Sequence, residues 1–376
     1  MVAAFAPLSC GKYSTEAGGS GRGSDRLRCP AKIAKTMQAD RFYQLLNLNR
    51  VVRSHRVKFA GLLGLYWLRQ RHLWLRFDPV MSCNLRCQMC YFSDPSFARE
   101  NTGRFSPAEV ERIAEVFFPW AVQLYVGCGT EPTTYKGFVD IVALGKHYKV
   151  PMVGLVTNGQ LLTPEHLERL VELGLDELTL STHGVARETY ERMMRRASFD
   201  KFLEVLDQLE ALKKRRGATR PQLRLNYTVN AQNLEELAGF FDVYGKYSLR
   251  TLQVRPIVDL GNTEYTEKDL TPHVARYKQI LAGIEGTCRE KGIRLLANYE
   301  DVTYEKKTTR AALAPEVVVY LSPQDLSKPG FDWRHESYFD YCRRTRWSRA
   351  LLKKVFTSAA QLAAPSPYLS YKVIDP

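Results

Sequence analysis

The sequence predicts an α/β fold: an open barrel of parallel strands, each followed by a helix, with an amphipathic segment before it and an extension after it. Three observations carry that reading. Short apolar runs of strand length alternate with helical patterns of ten or more residues. Glycine, asparagine and reactive side chains follow four successive runs at the same end. With 45% hydrophobic and 25% charged residues, the 376-residue chain has an ordinary globular composition. It is long enough to bury a large core without disulfides.

Residues 1–36, rich in Gly, Ser, Ala and Lys/Arg, read as a disordered tail with a faint transit-peptide bias, and Met37 as the true start of translation. Residues 37–72 form a basic amphipathic segment in which Leu, Val, Phe and Trp alternate with Arg and Lys. Its uncharged stretch Phe59–Leu68 is too short to span a bilayer. Arg with Trp, Tyr and Leu on such a segment suits either a membrane interface or a helix that packs one face on the domain.

From residue 73 to 297 the strand–helix rhythm runs. Expected strands are Leu73–Phe77, Gln123–Val126, Met152–Thr157, Glu177–Ser181, Gln222–Val229 and Thr251–Ile257. Ser106-Pro107 opens the helix after the first strand, with Glu109 placed to close a capping box, and Thr163-Pro164 opens another. Gly174 ends a helix just before the fourth strand. Six such units imply parallel strands with right-handed crossovers, hence a partial (β/α)6 TIM-like barrel. Residues 298–376 lose the rhythm and read as an extension of unassigned fold.

The charge is local. Lys+Arg number 54 against 40 Asp+Glu, a formal +14. Residues 41–76 hold eight cations and no acid, and residues 343–354 hold six cations and no acid, so the remaining chain is neutral. Anionic partners are expected at those two patches only.

Eight cysteines are too few for a disulfide framework, and three of them, Cys83, Cys87 and Cys90, cluster. Soft thiolates spaced Cys-x3-Cys-x2-Cys select an iron–sulfur or zinc centre. A structural zinc wants four ligands, for which Cys128 is the remote candidate; three ligands in one loop instead leave an open position for chemistry.

This spacing, on the loop after the first strand of a six-unit α/β domain, resembles the radical S-adenosylmethionine superfamily over roughly residues 73–257. The resemblance implies that Cys83, Cys87 and Cys90 hold a [4Fe–4S] cluster whose fourth iron binds S-adenosylmethionine. Met89 stands where the family usually has an aromatic residue that touches adenine. Gly129-Thr130-Glu131-Pro132 resembles the Gly-Gly-Glu-Pro motif that receives the amino group of methionine, with Thr130 in place of the second glycine. Asn158, in Thr157-Asn158-Gly159, is expected to line the cofactor or merely to make a turn. Ser181 aligns with the serine of Ser-x-Asp-Gly that meets the ribose. His183 replaces the aspartate and reads either as a histidine satisfied by its neighbours or as a proton donor that tunes substrate contacts. Asn226, Thr228 and Asn230 share one side of the fifth strand, with Asn230 expected at the cofactor, and Arg255 could meet a carboxylate or phosphate. Cysteine-rich extensions for further clusters are absent, so one cluster is expected.

The resulting expectation is a radical enzyme that cleaves S-adenosylmethionine and takes hydrogen from a small-molecule substrate, anionic or lipid-like. An electron donor such as flavodoxin or ferredoxin would serve it. A cytoplasmic site is expected, with peripheral membrane contact through residues 41–76. A peptide-modifying enzyme is one alternative. A zinc-holding nucleic-acid-binding module is another, though no nucleic-acid-binding motif supports it.

Overall fold

The computed structural model describes residues 52–257, 262–267, 269–299, 308–309, 313–362, 364–365 and 372–375. The expected tail 1–36 and the amphipathic segment as far as Val51 lie outside the described residues.

Helix α1 (His55–Trp67) precedes β1 (Leu73–Phe77). Next come α2 (Pro95–Glu100), α3 (Pro107–Phe117), β2 (Ala121–Val126), α4 (Phe138–His147) and β3 (Met152–Thr157). Then follow α5 (Pro164–Glu172), β4 (Glu177–Thr182), α6 (Arg187–Met193), α7 (Phe199–Arg216) and β5 (Gln222–Val229). The barrel continues through α8 (Phe240–Tyr244), β6 (Leu249–Pro256), α9 (Val274–Glu290) and β7 (Arg294–Ala297). All six expected strands are present, with ends within two residues of those read from the sequence.

The helix starts follow their caps. The Thr163 hydroxyl accepts from the His166 N–H at the start of α5. At α3 the Ser106 hydroxyl instead donates to the Glu109 carboxylate, 3.1 Å away, so the two side chains meet each other rather than the backbone. Gly174, at φ +68°, ends the turn after α5 as expected.

Strands β7-β6-β5-β4-β3-β2-β1 run parallel in that spatial order. The region after residue 298 corrects one expectation: it is not merely an appendage. Strand β9 (Val318–Leu321), entered directly from α10 (Ala314–Val317), pairs parallel with β1. Strand β11 (Lys372–Ile374) closes the far edge antiparallel to β7. A separate two-residue ladder joins β8 (Thr308–Thr309) to β10 (Ala364–Pro365). The sheet is therefore an open, partial barrel with eight parallel strands and one antiparallel edge strand.

Alternation sorts the side chains. Leu73, Leu75 and Phe77 of β1 are fully buried in the main core, beneath helices whose apolar faces carry Ile113, Phe117, Ile141, Leu167, Phe202 and Leu206. A smaller core made by Phe59, Leu62, Leu63, Val317, Val318 and Leu351 seats α1 and α12 (Trp347–Phe356), the latter preceded by α11 (Tyr338–Arg344), against the edge formed by β9.

Candidate active site

The loop after β1 carries Cys83, Cys87 and Cys90, all three half-buried free thiols. Backbone contacts fix the loop on both sides. The Arg86 N–H donates to the carbonyl of Arg195 just beyond α6 and the Gln88 N–H to that of Met193, the last residue of α6, and the Tyr265 N–H donates to the Gln88 carbonyl. The Arg86 guanidinium folds back onto the Cys83 and Leu85 carbonyls at 2.8 and 2.7 Å. The Ser93 hydroxyl donates to the Cys90 carbonyl and accepts from the Glu264 N–H.

Burial pushes the Cys83 thiol up to about 12, and the neighbouring Glu131 carboxylate adds to the shift. Cys87 is raised by burial and by its two partner thiols; Cys90 is raised by burial and pulled back by Arg255 and Arg86. Three thiols that oppose one another's ionisation need a positive centre to become thiolates, which is what an iron–sulfur cluster offers. Among the described residues no group of three or more His, Cys, Asp or Glu side chains is placed to hold a single metal ion, and Cys128 stands exposed. That arrangement suits a cluster, because its thiolates ligate separate irons and need not converge on one point. The residues present therefore fit a [4Fe–4S] group.

Gly127 to Pro132 form the second wall. Gly127 sits at φ +84°, and a Cβ there would lie 2.3 Å from the Val156 carbonyl oxygen. A Cβ at Gly129 would meet the Tyr91 hydroxyl at 2.6 Å, so the expected close backbone approach is to a tyrosine that donates to the Gly129 carbonyl. Pro132 opens the short turn Pro132–Thr134, and the Thr130 hydroxyl faces Asp78.

Glu131 is buried at the meeting of this wall with the end of β3. Its Oε1 accepts from the Thr133 N–H (3.2 Å), the Thr133 hydroxyl (2.5 Å) and the Thr157 hydroxyl (2.6 Å), and its Oε2 accepts from the Asn158 N–H (2.8 Å). Four donors still leave Oε2 one acceptor position. Burial raises the Glu131 pKa while these donors pull it back, so a cation at that position would secure the charge. Asn158 does more than turn the chain: its amide donates to Asn84 at 2.9 Å and lies 4.0 Å from the Cys83 sulfur.

Ser181 lies at the end of β4 opposite Asn226, half-buried, with no side-chain hydrogen bond among the described residues. Two expectations change here. His183 is not a satisfied structural histidine: its buried Nδ1 has no partner among the described residues, and burial with nearby Arg255 holds its pKa down at about 3. Met89 and Asn230 are buried against each other. Met89 is 6% and Asn230 0% exposed, and the Asn230 amide donates to the Met89 sulfur at 2.8 Å. Asn230 Oδ1 also takes the N–H groups of Gln232 and Asn233, so it anchors the loop after β5. Thr228 accepts from the Arg255 guanidinium at 3.0 Å, and Asn226 accepts from Arg224 at 3.0 Å.

Asp78 was missed as a site residue. Fully buried at the end of β1, it accepts from the Cys128 N–H (2.6 Å), the Gly129 N–H (2.9 Å) and the Tyr320 hydroxyl (2.8 Å). Its place directly after a strand was the available signal; its partner on β9, 242 residues away, had none.

Residues 79–241 match the Radical SAM superfamily. Molybdenum cofactor biosynthesis protein 1 of Drosophila melanogaster is 30% identical over 139 residues, covering 37% of this chain and 24% of that protein. A probable GTP 3',8-cyclase of Saccharolobus solfataricus is 26% identical over 223 residues, covering 58% of this chain and 68% of that one. The chain thus spans about a quarter of the Drosophila relative's length. Among solved structures, native anSMEcpe with bound AdoMet superposes with a TM-score of 0.54 at 15% identity, over 76% of this chain and 84% of that one. That likeness is one of fold. Matching sequence over residues 79–241, a shared fold and a thiol trio suited to a cluster agree on a likeness to the radical SAM superfamily, whose enzymes work with a [4Fe–4S] cluster and S-adenosylmethionine.

Proposed function

We propose that this protein cleaves S-adenosylmethionine reductively at a cluster held by Cys83, Cys87 and Cys90, and takes hydrogen from an anionic substrate of the purine nucleotide class. The observation that carries the reading is the convergence of the three thiols with Glu131 and Arg255 at the carboxyl ends of the strands. The Saccharolobus relatives are named probable GTP 3',8-cyclases, which directs the substrate class towards a nucleotide and away from the lipid-like molecule expected from the basic segment.

A [4Fe–4S] cluster held by Cys83, Cys87 and Cys90 would supply the single electron for reductive cleavage of a carbon–sulfur bond of S-adenosylmethionine. The chain's own residues bind and orient. The open position on Glu131 Oε2 receives the ammonium of the methionine moiety, a charge-assisted hydrogen bond in a buried setting. Asn158 fixes the Cys83 side of the loop through Asn84. Ser181 offers a free hydroxyl to the ribose. Arg255, held by Thr228, presents a guanidinium suited to phosphate or carboxylate.

The test is anaerobic reconstitution under reductant. About four irons per chain and 5′-deoxyadenosine release are expected, with release rising when GTP is added. Loss of both signals from a folded protein would refute the enzyme. Release that GTP, ATP and their diphosphates all leave unchanged would refute the nucleotide class alone.

A further inference from the structure

The two basic patches, nearly 300 residues apart in the chain, meet on one surface. Helices α1 and α12 lie side by side and antiparallel. The His55 ring bonds to the Thr357 carbonyl at one end (2.9 Å), and the Tyr66 ring packs edge-on against Trp347 at the other (5.2 Å). Between these ends, Lys354 lies over the Phe59 ring.

Helix α1 buries Phe59, Leu62 and Leu63 on one side. The opposite stripe should be polar in a surface helix. It consists instead of Val57, Gly61, Gly64 and Leu68, flanked by Leu65 and Trp67, and nothing lies within 4 Å of where a Cβ would stand on either glycine. Val57 is 59%, Trp67 61% and Leu68 71% exposed. On α12 the side opposite buried Leu351 carries Arg349, Leu352, Lys353 and Phe356, the last 75% exposed. Of the seven exposed large hydrophobic residues among those described, six belong to this helix pair and its boundary, so the exposure is concentrated rather than scattered.

Cations frame the apolar face. Arg53, Arg56 and Lys58 stand at one end of α1 and Arg69 at the other, with Arg346, Arg349 and Lys353 along α12, and residues 53–71 and 346–357 contain no acid. Arg53, Arg56, Lys58, Arg346, Arg349 and Lys353 have no carboxylate partner among the described residues. We propose that the outer face of this helix pair docks on an anionic lipid bilayer, with Val57, Leu65, Trp67, Leu68 and Phe356 in the interface and the flanking cations on headgroup phosphates. A second copy of the chain fits poorly, because apposing two acid-free cationic faces sets like charges together. A nucleic acid would meet the cations and leave the apolar stripe wet. No described helix is long and apolar enough to cross a membrane.

The test is flotation of the reconstituted full-length chain with phosphatidylcholine vesicles, with and without phosphatidylglycerol. Wild type should float with the anionic vesicles and be released as salt rises. The variant R53Q/R56Q/R349Q/K353Q should lose about fivefold in affinity for each cation removed. W67S/L68S/F356S should lose salt-resistant binding. Both variants should keep the wild-type melting temperature, iron content and rate of S-adenosylmethionine cleavage, since none of these residues is packed or near the thiols. Wild type left at the bottom of the gradient would overturn the proposal, as would either variant floating like wild type. RNA binding that the serine variant retains, without flotation, would overturn it in favour of a nucleic acid. A wild-type dimer made monomeric by the serine substitutions, again without flotation, would overturn it in favour of a second copy.

Discussion

At mid-height inside the barrel, Glu177 of β4 accepts from the Tyr125 hydroxyl and from Arg224 at 3.3 Å, while Arg224 also reaches Asn226 and Gln253. Arg76 lies over the Tyr125 ring, 4.9 Å from its centre. Every charge at this level faces a counter-charge, a dipole or a π face. At the carboxyl ends of the same strands the wiring is looser. Ser181 and the Nδ1 of His183 lack partners among the described residues, Glu131 keeps one acceptor position, and three thiols face one another. Buried polar groups without partners are costly, and the two beside the thiol loop, Thr130 Oγ1 and His183 Nδ1, stand where a bound ligand would pair them. The mid-level network holds the barrel in register, and the open end is arranged for ligands.

Substitutions at the two levels should therefore fail in different ways. The largest effect is expected at the open end. Cys83→Ala, Cys87→Ala or Cys90→Ala should reduce iron from about four per chain to background and abolish 5′-deoxyadenosine formation, with the melting temperature of the apoprotein nearly unchanged. Iron quantification and differential scanning calorimetry on the same samples check this. A collapse in apoprotein stability would contradict the division.

The converse is expected at mid-height. Glu177→Ala leaves Arg224 without its carboxylate and should cost about 3–5 kcal/mol, the usual penalty for breaking a buried pair. Replacing both partners, Glu177→Met with Arg224→Met, should recover much of that loss. Urea denaturation gives the three values, and a double variant no better than Glu177→Ala would show that the hydrogen bonds to Tyr125, Asn226 and Gln253 matter more than the charge pair.

Asp78 holds the glycine wall of the open end to β9. Asp78→Ala removes the acceptor for the Cys128 and Gly129 N–H groups and for Tyr320. It should cost about 2–3 kcal/mol and weaken S-adenosylmethionine binding as the glycine wall loosens. Tyr320→Phe removes only one donor and should cost about 1 kcal/mol. Calorimetric titration with S-adenosylmethionine separates the two contributions.

These levels were not equally legible in the sequence. Strand alternation, the cysteine spacing and Gly129-Thr130-Glu131-Pro132 are local patterns, and they located six strands and the thiol loop. What escaped depends on contacts between distant segments. Strand β9 has four residues and follows α10 with no turn between, so neither length nor punctuation separates it; its register beside β1 is what places Tyr320 on Asp78. The pairing of Met89 with Asn230 spans 141 residues, and the meeting of the two basic helices spans 302. His183 was misread for a related reason. Whether a histidine is satisfied depends on what the neighbouring strands bring to it, and here burial and Arg255 outweigh the backbone acceptor at Thr182.

That histidine gives the smallest effect and the finest test of the contrast. Folded His183 stays neutral down to about pH 3, whereas an unfolded histidine takes up a proton near 6.5. A base with a depressed folded pKa lets the unfolded state bind the extra proton, so stability falls as the pH drops from about 6.5 towards 3. Above that window the difference vanishes. His183→Gln removes the titration, and its stability should fall less than that of wild type between pH 7 and pH 4, as read by urea denaturation at both pH values. The same substitution should leave no change in the pH dependence of 5′-deoxyadenosine formation between pH 7 and 8, because the ring carries no charge there in either state. A wild-type break near 6.5 that disappears in His183→Gln would mean that a ligand, once bound, supplies the partner that Nδ1 lacks and returns the histidine to its ordinary range.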